Sequence, residues 1–246
     1  HITKLPPLPM PLDNLSATYA DGCLYVAGGK GKPQTVPIGQ DGSQTAPTNP
    51  LFSLQLTPSL QKEWVRLPDF PGPARIQPVL TAQQSEDGIR LYLAGGFQPA
   101  SAHQEAIVCT DMLSYHPKTK QWRNEGFLPS LAGGSHRTVT GGCAIASGDS
   151  SILLVGGVNY DRFRDALNHP EPDYLLHPAD WYKFNTSLLQ YNTFTKHWTH
   201  LGNYEELARA GAGIANNANT VIIIGGELKP GIRTPEVNAF KLTCHP

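Results

Sequence analysis

The segment of this chain best suited to chemistry runs from Gly225 to Thr234 and reads Gly-Gly-Glu-Leu-Lys-Pro-Gly-Ile-Arg-Thr. It places the carboxylate of Glu227 directly after a glycine pair and the guanidinium of Arg233 six residues later, across a Lys-Pro-Gly bend. A carboxylate so placed can act as a general acid or base, and an arginine can bind a carboxylate through two parallel hydrogen bonds. The same two residues would also form a simple salt bridge within a loop, so the segment alone leaves both interpretations open.

Polar residues recur at the start of successive repeats of the sequence. Arg75, His136 and Arg209 stand in short segments of small residues at corresponding places. We interpret them as the lining of a central funnel, because a buried arginine needs either an internal partner or a ligand. His136 would serve equally well by binding a neighbouring backbone carbonyl.

Residues 158–186 form a long connection that is rich in aromatic and charged residues. Loops of this length inside a compact domain are usually functional or disordered, and the aromatic content argues against disorder. The segment predicts one or more short helices folded as a lid, with aromatic faces for a sugar-like ligand. His169 and His177 are separated by eight positions and by prolines, which does not indicate metal ligation, so no metal site is predicted.

Four short apolar runs, each ending in a pair of glycines, determine how these residues are positioned. The runs are Leu24–Gly29, Leu91–Gly96, Ile152–Gly157 and Val221–Gly226. The first three are followed by an alternating strand and then by Trp64, Trp122 or Trp198. This unit predicts the four-stranded antiparallel blade of a β-propeller. A β-sandwich has a similar density of strands but does not repeat glycine pairs and tryptophans in one phase.

The repeats predict a single all-β domain, complete or partial, with four blades. We expect the blades at approximately residues 10–68, 73–128, 133–201 and 207–246, with residues 1–5 as a separate outer strand and residues 158–186 as the lid-like insertion. The last blade shows no fourth strand after residues 237–242. Either the N-terminal strand closes a ring of four blades, or the chain is part of a larger ring.

Composition excludes several classes of partner. The formal net charge is −1 and charged residues make up 16% of the chain, against roughly 25% in typical globular domains. A near-neutral surface argues against nucleic acid or an anionic membrane as the partner. No apolar stretch approaches the ~20 residues of a transmembrane helix.

The glycine pairs and tryptophans resemble kelch repeats over nearly the whole chain. A more specific resemblance is to the bacterial N-acetylneuraminate epimerases, the sialic acid mutarotases, and most of all to their cyclically permuted branch. It rests on the order and spacing of motifs along roughly residues 10–240. The motifs are Gly156-Gly157-Val158-Asn159, Asp180-Trp181-Tyr182-Lys183-Phe184-Asn185 and Glu227-Leu228-Lys229-Pro230-Gly231-Ile232-Arg233. Because that family forms six-bladed propellers, the resemblance favours the larger ring.

The resemblance implies an isomerase that interconverts the α and β anomers of N-acetylneuraminate by acid/base ring opening, without a cofactor. It implies Glu227 and Arg233 as catalytic residues. It also assigns substrate binding to four residues, namely Arg75, His136, Asn159 and Tyr182. Lys183 stands where the family has an aromatic residue, which implies a different ligand preference.

The resemblance further implies sialic acid as the small-molecule partner, the remaining blades or a second protomer as the protein partner, and a periplasmic or otherwise extracytoplasmic location in a bacterium. Two other functions stay open. One is a non-catalytic kelch module that binds a partner protein, and the other is a sugar-binding or sugar-processing propeller with a different substrate.

Overall fold

The computed structural model of the chain describes residues 2–31, 49–57, 59, 61–131, 133–217 and 219–242. Most of these residues lie in antiparallel strands, and the larger sheets follow one another along the chain. We call these sheets blades 1 to 4. Within each blade, neighbouring strands are also neighbours in sequence apart from short ribbons and the lid.

Blade 1 contains four strands, and a two-stranded ribbon of β1 and β4 lies beside it. The strands of this region are β1 (Leu12–Asp13), β2 (Ser16–Ala20), β3 (Cys23–Ala27), β4 (Lys30–Gly31), β5 (Leu51–Gln55) and β6 (Val65–Leu67). The order in the blade is β2-β3-β5-β6. The indole N–H of Trp64, just before β6, donates to the carbonyl of Pro6 at 3.0 Å, so the N-terminal segment packs against the outer edge of this blade.

Blade 2 has the longest strands. They are β7 (Ile76–Ser85), β8 (Gly88–Gln98), β9 (Ile107–Val108), β10 (Asp111–His116) and β11 (Gln121–Phe127). The order is β7-β8-β10-β11, and β9 pairs with the end of β8. On β11 the indole N–H of Trp122 donates to the carbonyl of Pro68 at 2.9 Å. This bond repeats, one blade later, the contact between Trp64 and Pro6.

Blade 3 has four strands in the order β12-β13-β14-β15. Between β13 and β14 the chain leaves the sheet to form the lid, which consists of one α-helix and two 3-10 helices. These elements are β12 (Cys143–Ser147), β13 (Ser151–Val155), α1 (Tyr160–Asn168), the 3-10 helices Tyr174–Leu176 and Ala179–Tyr182, β14 (Ser187–Asn192) and β15 (His197–Asn203). Helix α1 begins where the Asn159 side chain accepts a hydrogen bond from the Arg162 backbone N–H at 3.1 Å, an N-cap that satisfies a free amide of the first turn.

Blade 4 has three strands among the described residues, in the order β16-β17-β20. A separate hairpin of β18 and β19 projects between β17 and β20. The elements are a 3-10 helix at Glu205–Leu207, β16 (Gly213–Asn217), β17 (Thr220–Ile224), β18 (Glu227–Lys229), β19 (Ile232–Arg233) and β20 (Val237–Lys241).

The glycine pair of blade 3 shows why the strands end in glycine. Gly156 and Gly157 have φ of 67° and 89°, which side chains other than that of glycine rarely tolerate. A Cβ on Gly156 would lie 2.5 Å from the Arg209 carbonyl oxygen, and one on Gly157 would lie 2.7 Å from that of Thr140. The turn therefore depends on backbones from two blades approaching closely.

The hydrophobic core lies between successive blades. Apolar residues of one sheet pack on those of the next at each of the three junctions. The outer tryptophans take part, with ring centroids 5.0 Å apart for Tyr115 and Trp122 and 4.8 Å apart for Tyr191 and Trp198. The all-β propeller with four blades, predicted from the repeats, is confirmed. None of the helices in the described ranges is both long enough and apolar enough to cross a membrane.

Candidate functional site

Glu227 and Arg233 face each other across the β18–β19 hairpin. They are directly opposite partners in the register, and Arg233 Nη2 lies 3.0 Å from Glu227 Oε1. The Glu227 side chain is 28% exposed and that of Arg233 is 78% exposed. The backbone of Glu227 also exchanges hydrogen bonds of 2.7 and 3.0 Å with Ala210. The carboxylate is therefore positioned from two sides, whereas the guanidinium extends into solvent.

The hairpin is attached to the lid by Lys229. The Nζ of this residue donates to the carbonyl of His177 at 2.7 Å and to that of Leu175 at 3.2 Å. Both acceptors lie in or directly after the first 3-10 helix of the lid. The strand that carries Glu227 and the lid therefore form one hydrogen-bonded unit.

The aromatic residues of the lid mostly contact one another. Tyr182 is 1% exposed and its hydroxyl donates to the Tyr174 carbonyl. The Trp181 ring stacks on His177 at 3.9 Å between centroids, and the Arg162 guanidinium lies 4.5 Å from the Trp181 ring centroid. Tyr182, which the sequence assigns to substrate binding, is thus a core residue of the lid in this structure.

A groove with a cavity volume of about 1020 Å³ lies between the lid, blade 3 and the start of blade 4. Its lining comprises Pro129, Ser130, Leu131, Arg137, Asn159, Ala179, Asp180, Lys183, Phe184, Asn185, Thr186, Ser187, His200, Asn203, Glu205, Ala208 and Leu228. Of the six predicted site residues, Asn159 is in this lining. Glu227 is not, although Leu228 beside it is. The groove therefore extends as far as the hairpin.

Arg137 is the most unusual residue of the groove. It is among the residues that line the cavity, although it is only 7% exposed. Within the described part of the chain, its guanidinium makes no hydrogen bond or salt bridge; its Nε is buried without a partner, as are those of Arg75 and Arg209. Burial lowers the pKa of Arg137 from its ordinary value. Leaving a buried charge without a counter-ion is costly, so this guanidinium is available to an anion.

Arg75, by contrast, has a partner within the chain. It is completely buried, and its Nη2 lies 2.8 Å from both carboxylate oxygens of Asp111 while its Nη1 donates to the Gly95 carbonyl at 2.9 Å. Arg209 is held similarly by Glu236 and Asn238. A buried arginine needs either a partner or a ligand, and at these two positions it has partners within the chain.

His136 lies at the surface, next to the beginning of the lid. It is exposed, and its ring is 5.1 Å from that of Tyr160 in an edge-on arrangement. The structure thus brings Glu227 and Arg233 together and places Asn159 in the nearby groove. It places Arg75, His136 and Tyr182 outside the groove lining.

Sequence reasoning assigned no role to Arg137, the neighbour of His136. A signal was available, because both residues belong to the short segment that opens the third repeat. The two are adjacent in an irregular stretch before β12, and only the three-dimensional arrangement shows which one is buried.

The lid also brings Glu171, Asp173 and His177 within 4.8 Å of one another, measured between possible ligand atoms. Both acidic residues are exposed, and the carbonyl of His177 already binds the Lys229 ammonium. Exposed acidic groups of this kind commonly occur without an ion, so we assign them no role.

Known proteins provide an independent comparison. The family description "N-acetylneuraminate epimerase" matches residues 6–245. An N-acetylneuraminate epimerase of Salmonella paratyphi B is 27% identical over 248 residues, covering 95% of this chain and 57% of the relative. One of Haemophilus influenzae is 30% identical over 243 residues, covering 92% of this chain and 60% of the relative. This chain thus spans somewhat more than half the length of these curated relatives.

The fold has a similar match. The solved structure of YjhT superimposes with a TM-score of 0.71 at 23% identity, covering 98% of this chain and 69% of that one. At this identity the match supports the fold alone, whereas the family description extends over nearly every residue. The chain belongs to the N-acetylneuraminate epimerase family.

Proposed function

We propose that this protein is a sugar isomerase that interconverts the α and β anomers of N-acetylneuraminate. The observation that carries the proposal is the pairing of Glu227 with Arg233 on a hairpin fixed to the lid, at the end of the groove between the lid and blade 3. The names of the relatives supply the substrate class. A sugar acid needs a proton-transfer group and a cation, and this part of the molecule offers both.

The proposed reaction uses Glu227 as the proton-transfer group. Its carboxylate removes the proton from the anomeric hydroxyl, a water molecule from solvent donates a proton to the ring oxygen, and the bond between the anomeric carbon and the ring oxygen breaks to give the open keto form. Rotation presents the other face of the carbonyl, and the hydroxyl formed from the ring oxygen attacks it. This hydroxyl loses its proton, and the new anomeric oxygen receives one. No atom or electron is gained or lost, so no cofactor or metal is required by the chemistry.

The exposure of Arg233 favours catalysis over a fixed salt bridge. A pair in which one side chain is 78% exposed contributes at most about 1 kcal/mol to stability. Arg233 can therefore leave Glu227 and stabilise negative charge on the substrate at little cost. A module that only bound a partner protein would have no use for a groove of this size that extends to the hairpin.

The first experiment follows α-enriched N-acetylneuraminate by proton NMR as it relaxes to the β anomer. We expect the protein to accelerate the relaxation, and we expect Glu227→Gln to lower the rate about 10²- to 10⁴-fold, the range of general acid–base catalysis. Binding of the sugar should persist in this variant. Glu63→Gln, on the exposed surface near blade 1, is the matched control.

Two results would contradict the proposal. Anomerisation unaffected by Glu227→Gln would exclude this residue as the acid/base group. Tight sugar binding without any acceleration by the unmodified protein would indicate a sugar-binding propeller or a different substrate.

We also propose that the four blades belong to a larger ring and that the protein acts outside the cytoplasm, in the periplasm. The ring is supported by apolar side chains on the free faces of the outer blades, where Tyr19, Ile224 and Val237 are 56%, 48% and 61% exposed. Further blades or a second protomer would cover them. The location is supported only by the bacterial origin of the relatives. Mass measurement of the natural protein and cell fractionation test these two points.

A further inference from the structure

We infer that Arg137 is the residue that binds the carboxylate of the substrate, and that it determines the preference for a sugar acid over a neutral sugar. The inference rests on the proposed function and deepens it, since it assigns the anion-binding role to a residue other than Arg233. Three observations carry it: the burial of Arg137, its lack of a partner among the described residues, and its place in the wall of the groove.

Charge is the first argument. Arg75, Arg137 and Arg209 are the buried arginines in the turns that open blades 2, 3 and 4, at 0%, 7% and 3% exposure. Two of them have a carboxylate within 3.2 Å. Arg137 has none within 4.0 Å in the described parts of the chain. An unpaired buried charge destabilises the folded protein. An anion that binds to Arg137 has no existing partner to displace, so the whole energy of the new ion pair contributes to binding.

The walls of the groove give the second argument. Asp180 and Glu205 are the acidic residues of the lining, and neither forms an ion pair with Arg137 in the structure. Lys183 adds a second positive charge from an exposed position directly after the lid helix, where φ is 48°. The lining therefore carries two positive and two negative side chains, and of these four only Arg137 is buried.

The shape of the guanidinium gives the third argument. Its planar set of N–H donors matches a carboxylate through two parallel hydrogen bonds. In N-acetylneuraminate the carboxylate is attached directly to the anomeric carbon, so its binding residue must lie close to the acid/base group. Arg137 and Leu228, the residue after Glu227, line the same groove, which is compatible with this requirement.

These roles separate the two arginines of the site. Arg233 contacts Glu227 and is mostly exposed, so it is placed to act on the charge that develops during ring opening. Arg137 is buried and unpaired among the described residues, so it is placed to hold the ground-state carboxylate. Loss of Arg137 should therefore weaken binding, and loss of Arg233 should slow the chemical step.

The test compares N-acetylneuraminate with its methyl ester, which lacks the negative charge. Dissociation constants are measured by ligand-observed NMR for the unmodified protein, Arg137→Met, Arg137→Lys and the control Arg66→Met, which removes an exposed arginine paired with Asp69. We expect Arg137→Met to weaken binding of the acid about 10- to 100-fold, as for a hydrogen bond to a charged group. Binding of the ester should change less than about twofold, and Arg137→Lys should be intermediate.

Thermal unfolding of each variant confirms that it is folded, and the anomerisation assay separates this inference from the proposed function. If Arg137→Met binds the acid as tightly as the unmodified protein does, Arg137 is not the anion-binding residue, whatever the catalytic result. If the unmodified protein prefers the acid through Arg137 but does not accelerate anomerisation, the inference holds and the proposed function fails. If the unmodified protein binds neither acid nor ester, both are overturned.

Discussion

The turn that opens blade 3 differs from the equivalent turns of blades 2 and 4. Each of these three turns contains one residue with positive φ, and backbone hydrogen bonds connect the three residues from blade to blade. The three residues are Gln77, Gly141 and Gly211. Two positions earlier, blades 2 and 4 have Arg75 and Arg209, whereas blade 3 has Val139.

The arginines of blades 2 and 4 have a structural role. Each donates from Nη1 to the carbonyl of the first glycine of its own pair, Gly95 or Gly225, at 2.9 and 3.0 Å. In blade 3 the same carbonyl, that of Gly156, accepts a hydrogen bond from the Asn185 side chain at 3.3 Å.

Asn185 thus replaces an arginine. Its Nδ2 also donates to the carbonyls of Thr138 and Val158, at 2.7 and 3.0 Å. Because a neutral amide stabilises this turn, blade 3 needs no arginine there. Arg137, displaced by two positions from the structural site, faces the groove instead. In one copy of a repeated unit, a neighbouring side chain can thus assume the structural role of an arginine.

The largest expected effect on stability comes from removing the counter-ion of Arg75, one of the two paired arginines. Asp111→Asn keeps the shape of the side chain but leaves the completely buried Arg75 without its counter-ion. Removing one partner of a buried pair typically costs about 3–5 kcal/mol. We expect a loss of this size in the free energy of unfolding, measured by urea denaturation. Glu236→Gln is the control, because Glu236 is 63% exposed and its loss should cost less than about 1 kcal/mol.

A smaller effect is expected from the residue that replaces the arginine in blade 3. Asn185→Ala leaves three backbone carbonyls with one donor fewer, which should lower the free energy of unfolding by about 1–3 kcal/mol. The same denaturation experiment measures this. Stability equal to that of the unmodified protein would mean that Asn185 does not hold the turn, and the comparison between blades would then fail.

The smallest expected change in stability comes from Arg137→Met. The variant keeps an apolar stem and removes a buried charge without a partner in the described chain, so the free energy of unfolding should stay within about 0.5 kcal/mol of its original value or rise. The melting temperature checks this directly. A loss comparable to that of Asp111→Asn would show that Arg137 has a structural partner.

The sequence predicts the parts of this molecule that depend on local spacing. Glycine pairs and tryptophans repeat along the chain, so the four blades were predictable. Glu227 and Arg233 are six residues apart around one bend, so their contact was predictable too. Arg75 and Asp111 are 36 positions apart, and no local pattern tells which arginine such a carboxylate will neutralise. The burial of Tyr182 depends on the tertiary packing of the lid around Tyr174. The sequence therefore does not show that this residue is inaccessible to a substrate.

Lys229 has a consequence for kinetics. Its ammonium donates to two carbonyls of the lid while its backbone belongs to the strand of Glu227, so a displacement of the lid that breaks these bonds would also release the strand of the proposed proton-transfer group. In the proposed mechanism, substrate entry past the lid and the chemical step would then depend on the same two hydrogen bonds. A change at this one residue would alter the association rate and the turnover number together, and neither could be tuned there without affecting the other.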